Sequence, residues 1–177
     1  ELFYLIFVMN ILLLHIYGFI GRNLALHARR EGHNVFEVNN KNNHKFLDYL
    51  IRSDVIIYLI GNKDEDNYEE LDKHIEYLQN FLDTISKRNN KIPIFFISTL
   101  DTDVSSYSKC RKMMEQMLKQ YSLNHPNPIY IFQAPEVFGN RILPNRYSLV
   151  ATYAYNVMNN IEVELPEKRE YLKLGYI

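Results

Sequence analysis

The sequence predicts an α/β fold: a doubly wound parallel sheet of about six strands, with helices on both faces. Two observations carry this expectation. Short runs rich in Val, Ile, Leu, Tyr and Phe alternate with longer segments whose apolar residues recur at helical spacing. Runs of this kind separated by helices make βαβ units, which give a parallel sheet covered on both faces. A third feature fits the same reading: the first run ends in a glycine turn, Gly18 and Gly21, that opens the first helix.

The elements follow in order. Asn10–Leu14 is a short apolar strand. From Phe19 to Arg30 the apolar residues Phe19, Ile20, Leu24, Leu26 and Ala28 keep helical spacing, and Gly32 ends that helix. Asn34–Val38 is a second strand, His44–Arg52 a short helix, and Asp54–Ile60 a third, buried strand. Asp66–Lys87 is a long helix with Ile75, Leu78, Phe81, Leu82 and Ile85 inward. Ile92–Ser98 is a fourth strand, Tyr107–Tyr121 a helix, and Pro128–Phe132 a fifth strand. Tyr147–Asn160 is helical, and Glu170–Ile177 closes as a sixth strand. Ligands of such sheets bind beyond the carboxyl ends of the strands. The loops after residues 14, 38, 60, 98 and 132 are therefore expected around one crevice.

Composition sets the bounds. The 177 residues suffice for one domain with a sizeable core; 47% are apolar and 23% charged, a globular balance. A net charge of −1 with no basic stripe argues against nucleic acid as a partner. One cysteine, Cys110, excludes a disulfide framework and a zinc quartet and suits a cytoplasmic setting. Residues 2–20 carry no charge and are long enough to cross a bilayer. A span there would have to absorb the first strand and its turn, and a signal peptide would need a basic start and a small-residue cleavage site. The expectation is no membrane segment. Residues 1–8 form an apolar extension ahead of Met9, and residues 9–177 form the domain.

The glycine turn is the first candidate site. A dinucleotide loop places glycines at three positions: one for the tight turn, one for close approach to pyrophosphate, one for helix packing. Here the register is His15-Ile-Tyr17-Gly18-Phe19-Ile20-Gly21, with histidine at the first position. The loop follows a strand and opens a helix, whose amino terminus favours an anion. If the turn needs positive φ, His15 costs about 1 kcal/mol or more. The second strand ends Val38-Asn39-Asn40-Lys41 without an acid, and Arg22 follows Gly21; both lean towards NADP over NAD. Asp64-Glu65-Asp66 is a solvated helix start rather than a metal site, and no metal is expected. Met113, Met114 and Met117 belong to the core or to an oligomer face.

Several segments resemble the extended short-chain dehydrogenases/reductases, or NAD-dependent epimerase/dehydratase family. They are Ile131–Gly139, Pro144–Tyr153, Leu59-Ile60-Gly61, and Tyr107 four residues before Arg111, with Glu115 four residues further on. The resemblance runs from Met9 to Ile177 and is nearest to the reductases of capsular-polysaccharide synthesis that act on 4-keto UDP-sugars with NADPH. It implies a Rossmann-like fold and a cytoplasmic dimer acting on a UDP-sugar. It also implies site residues: Tyr107 as proton donor or acceptor, Arg111 as its cationic partner, and Ser98 or Thr99 as the hydroxyl that meets the substrate oxygen. His15, Tyr17, Gly18, Phe19, Ile20, Gly21, Arg22, Asn39, Leu59, Ile60, Gly61 and Pro135 would hold the cofactor. Tyr68, Tyr77, Phe81, Met114 and Leu118 are candidates for the dimer face or for the core. The departures cluster at polar positions. Histidine replaces the first loop glycine, and Arg111 stands where the family keeps lysine. Gln133 and Glu136 replace an arginine and an asparagine, and His74 replaces an asparagine. By the resemblance, residues 9–177 are expected to be the cofactor-binding domain, lacking most of the family's substrate lobe. The changed polar positions leave a second possibility open, a non-catalytic nucleotide-binding or dimerising module.

Overall fold

A computed structural model of the protein describes residues 7–15, 18–38, 43–59, 68–88, 91–100, 106–145, 148–164 and 173–177. The elements are β1 (Asn10–Leu14), α1 (Phe19–Arg30), β2 (Asn34–Val38), α2 (Phe46–Arg52), β3 (Val55–Tyr58), α3 (Tyr68–Ser86), β4 (Ile94–Thr99), α4 (Ser106–Asn124), β5 (Ile129–Ala134), β6 (Glu136–Phe138), α5 (Leu149–Met158) and β7 (Leu174–Tyr176). A 3-10 turn, Asn43–Lys45, leads into α2.

The main sheet has the order β2-β1-β3-β4-β5, and every pairing is parallel. This is the expected doubly wound α/β architecture. Strand order reverses between β1 and β3, the switch point where ligands of such sheets bind.

β1 shows why the opening run is so apolar. It is a central strand, and Ile11, Leu12, Leu13 and Leu14 are all buried. Leu12 and Leu14 face a core shared with Leu78, Phe81, Leu82 and Ile85 of α3 and Met114 and Leu118 of α4. Ile11 and Leu13 face the other side, against Ala25 and Ala28 of α1. Each fully buried leucine contributes about 2 kcal/mol. Hydropathy alone cannot separate such a strand from part of a membrane span. Among the described residues, no helix is long and apolar enough to cross a membrane.

Small residues let α1 lie close to the sheet, since Gly21, Ala25 and Ala28 are its buried positions. The helix ends as expected at Gly32, whose φ of +83° suits glycine. There the Gly32 and His33 amides donate to Arg29 and Ala28.

Two expectations change. Phe81, Met114 and Leu118, candidates for a dimer face, point to the sheet and are buried in the core of the single chain. Tyr77 is exposed, and the side chain of Tyr68 lies outside the described part. The closing segment does not extend the main sheet. Pro135 ends β5, and the chain resumes as β6, which pairs in parallel with β7 in a separate two-stranded sheet. Leu174 and Tyr176 are exposed, unlike strands buried on both faces.

This small sheet depends on Gly139. A Cβ there would lie 2.1 Å from the Ile177 carbonyl oxygen, while the Ile177 amide donates to Phe138 O at 3.0 Å. Gly139→Ala is expected to detach β7 at a cost of about 1–3 kcal/mol. Hydrogen exchange at the Ile177 amide should accelerate while the main sheet stays protected; unchanged protection at Ile177 would contradict this.

Candidate functional site

The carboxyl ends of β1, β3 and β4 bring two groups of predicted residues together. The first is the glycine turn. Gly18 is the N-cap of α1; among the described residues no side chain caps that helix, and its first turn holds no acid. Among the described residues, apart from its chain neighbours, nothing lies within 4 Å of where a Gly18 Cβ would be. The amino-terminal amides of α1 thus lie beside Gly18, in the setting an anion needs. Phe19 and Ile20 are half-buried, Gly21 is buried, and Arg22 is exposed in the first turn. Leu59 is buried beside the turn, with its amide donating to Leu14 O at 3.2 Å. Tyr17, Asn39, Ile60 and Gly61 lie outside the described residues, as do Asp64, Glu65 and Asp66.

His15 adopts φ +59°, the left-handed conformation that a glycine at this position would take without strain. Its ring lies 5.3 Å from the Tyr58 ring, 6.0 Å from Tyr77 and 6.1 Å, edge-on, from His74. Burial, helped by the nearby His74, lowers its pKa to about 4. His15 is therefore a neutral ring at pH 7. Two departures from the family pattern, His15 and His74, are neighbours in space and replace small or amide side chains with one ring cluster.

The second group is built on α4. Tyr107 and Arg111 are one turn apart, which places them on one face, and both are buried at 7% exposure. Arg111 donates to the Tyr107 hydroxyl through Nη2 and to the Ile97 carbonyl through Nη1. Its guanidinium carbon stands 4.8 Å from the Tyr107 ring centre. Its Nε is buried without a hydrogen-bond partner among the described residues. Arg111 thus ties the predicted acid/base tyrosine to the end of β4. Removing it leaves two acceptors without their donor and opens a cavity. Arg111→Ala is expected to cost about 3 kcal/mol of stability. Arg111→Lys, which keeps one bond, should cost less. Denaturant melts would check both, and a loss below about 0.5 kcal/mol for Arg111→Ala would contradict the role.

The two strand-end hydroxyls separate. β4 alternates, with Ile94, Phe96 and Ser98 buried. Ser98 is on the side of Tyr107 and Met114, and Thr99, the next residue, points to the opposite side. Ser98 donates to Glu115 Oε1 at 2.5 Å, a buried charge-assisted bond. Pro135 is half-buried and packs near Gly175 of β7. Glu136 is structural, since its carboxylate accepts from the Leu149 amide at 2.7 Å, while Ser148 Oγ accepts from Ala151 N. Together they satisfy the amino terminus of α5. Neither the Ser98–Glu115 bond nor the capping by Glu136 is readable from the sequence alone. The signal for Glu115 is its place four residues beyond Arg111, on the same helix face. Cys110 is buried and forms no disulfide among the described residues, and burial pushes its thiol pKa up. Among the described residues no group of three His, Cys, Asp or Glu side chains could hold a metal.

Comparison with known proteins agrees with this geometry. No family model matches the chain. A curated relative is UDP-2-acetamido-2,6-beta-L-arabino-hexul-4-ose reductase of Pseudomonas aeruginosa. It is 30% identical over 173 residues, which are 96% of this chain and 46% of the relative. Among solved structures, the capsular polysaccharide assembling protein CapF of Staphylococcus aureus matches with a TM-score of 0.75 and 28% identity. That match covers 95% of this chain and 45% of CapF. UDP-glucose 4-epimerase of Thermotoga maritima matches with a TM-score of 0.74 at 17% identity, covering 95% and 69%. That likeness speaks for the fold alone. The chain spans about half the length of the curated relative it matches. The sheet order, the glycine turn at the switch point and these likenesses agree: the chain has the NAD-dependent epimerase/dehydratase fold, that of the extended short-chain dehydrogenases/reductases.

Proposed function

We propose that this chain is the dinucleotide-binding part of an NADP-dependent nucleotide-sugar reductase or epimerase of capsular or surface polysaccharide synthesis. Its substrate would be a UDP-linked keto sugar, and it would work in the cytoplasm as a homodimer. The observation that carries the reading is the bonded pair Tyr107–Arg111, one helical turn apart at the end of β4. The similarity to a UDP-keto-sugar reductase and to CapF supports the same substrate class.

The residues present fit the cofactor at its phosphate end. The uncapped amides of α1, the open side of Gly18 and the exposed Arg22 suit a pyrophosphate and a 2′-phosphate. Bound NADPH would supply the hydride for the sugar carbon. Tyr107 would deliver its phenolic proton to the keto oxygen. Because Arg111 donates to the Tyr107 oxygen, the Tyr107 hydrogen remains available for that transfer. Arg111 would also hold the charge that develops on the phenolate as the proton leaves.

A second reading, a nucleotide-binding or dimerising module without catalysis, is favoured by His15 at the first glycine position and by Ser98 being held by Glu115. One assay separates the two. The chain is mixed with NADPH and a 4-keto UDP-sugar, and NADPH consumption is followed. Turnover supports the reductase reading; NADPH binding without turnover supports the second.

A further inference from the structure

The end of β4 is fastened to α4 by two successive bonds running in opposite senses. Arg111 donates to the Ile97 carbonyl, and Ser98 donates to Glu115. Both α4 side chains are buried at 7% exposure, and Ser98 at 3%. A carboxylate can only accept hydrogen bonds, so the single hydroxyl proton of Ser98 is committed to Glu115. What Ser98 keeps is lone pairs. The Lys119 ammonium lies 3.8 Å from the second carboxylate oxygen, on the solvent side.

We infer that Glu115 is a positioning residue that makes Ser98 an acceptor on the Tyr107 side of the sheet, leaving Tyr107 as the proton donor of that pair. This rests on the proposed reductase reading and adds to it a preference among ligands. A keto oxygen is an acceptor and gains nothing from Ser98; a sugar hydroxyl can donate to it. Glu115 thereby favours the hydroxy form of the sugar over the keto form at this position. It restricts polarisation of the carbonyl to Tyr107.

Glu115→Gln tests this with little change of shape. In that variant the amide oxygen faces Lys119 and the amide nitrogen faces Ser98, so the Ser98 proton is released. The measurement is the ratio of affinities for a UDP-4-keto sugar and its 4-hydroxy counterpart, by calorimetry in the presence of NADP. One neutral hydrogen bond gained on the keto side predicts a shift of roughly 3- to 10-fold towards the keto ligand. The shift should vanish when Glu115→Gln is combined with Ser98→Ala. A role in packing alone would leave the ratio unchanged, and that outcome overturns the inference. If neither sugar binds to any variant, the proposed function fails, and proton NMR then decides the inference by itself. A slowly exchanging, downfield Ser98 hydroxyl proton in the parent chain, absent from Ser98→Ala and Glu115→Gln, would uphold the committed donor. Its absence from the parent would overturn it.

Discussion

Under the proposed reductase function, replacing Tyr107 with phenylalanine is expected to lower the rate of keto-sugar reduction about 10²- to 10⁴-fold, the usual contribution of a positioned general acid. The change removes one oxygen. That oxygen accepts from Arg111, so the variant also leaves a buried guanidinium with one bond fewer. The chemical and structural effects differ in their readouts. A lost proton donor lowers kcat and leaves NADPH affinity close to that of the parent. A disturbed Arg111 lowers the melting temperature by an amount that Arg111→Lys should share. Steady-state rates with thermal melts on Tyr107→Phe and Arg111→Lys would resolve the two. Equal rates for Tyr107→Phe and the parent would remove Tyr107 from the chemistry.

The second large effect is on stability against pH. His15 is held as a neutral ring, with a folded-state pKa of about 4 against an ordinary value of 6.5. Between those values the unfolded chain binds more protons at this residue than the folded chain does. Stability therefore rises with pH across this window. The contribution is complete above pH 6.5 and is lost as pH falls towards 4. Its size is about 3 kcal/mol. Carboxylates also titrate in the lower part of the window, so the comparison must be with a variant. His15→Gly removes the titrating ring and the φ +59° strain together. Its stability should fall less steeply than the parent's between pH 6.5 and pH 4, read from urea melts at each pH. Parallel slopes for parent and variant would show that His15 is not buried among the rings of Tyr58, His74 and Tyr77.

The sequence made the frame legible for physical reasons. The five strands of the main sheet are short and strongly apolar, and α3 and α4 carry long amphipathic patterns, so period and composition identify them. The cost at His15 was legible only as a condition, that the turn after β1 takes positive φ, and the φ of +59° at His15 meets that condition. The fate of Glu170–Ile177 was not legible. A short apolar run shows that it can pair but not with which partner, and the break at Pro135 creates a partner, β6, that the pattern does not announce. The fate of Phe81, Met114 and Leu118 was equally open. An apolar stripe on a helix must be covered, but the stripe does not reveal whether a sheet or a second subunit covers it.

Within the candidate site, the family resemblance pointed to Tyr107, Arg111, either Ser98 or Thr99, and the glycine turn. The direction of each hydrogen bond did not follow from the sequence. Ser98 could donate to a ligand or to Glu115, and the choice depends on the distance between β4 and α4. The clustering of His15, Tyr58, His74 and Tyr77 likewise joins three elements far apart in the chain. Only the folded arrangement shows that His15 and His74 share one ring cluster.

The measurement that bears most directly on the central claim is NADPH binding to the 177-residue chain, followed by fluorescence titration, with His15→Gly and Arg111→Lys alongside. Saturable binding in the micromolar range by the parent is expected, strengthened in His15→Gly as the ring and its strain leave the turn. Absence of binding by all three proteins, with circular dichroism showing each folded as an α/β domain, would contradict a dinucleotide site at this switch point.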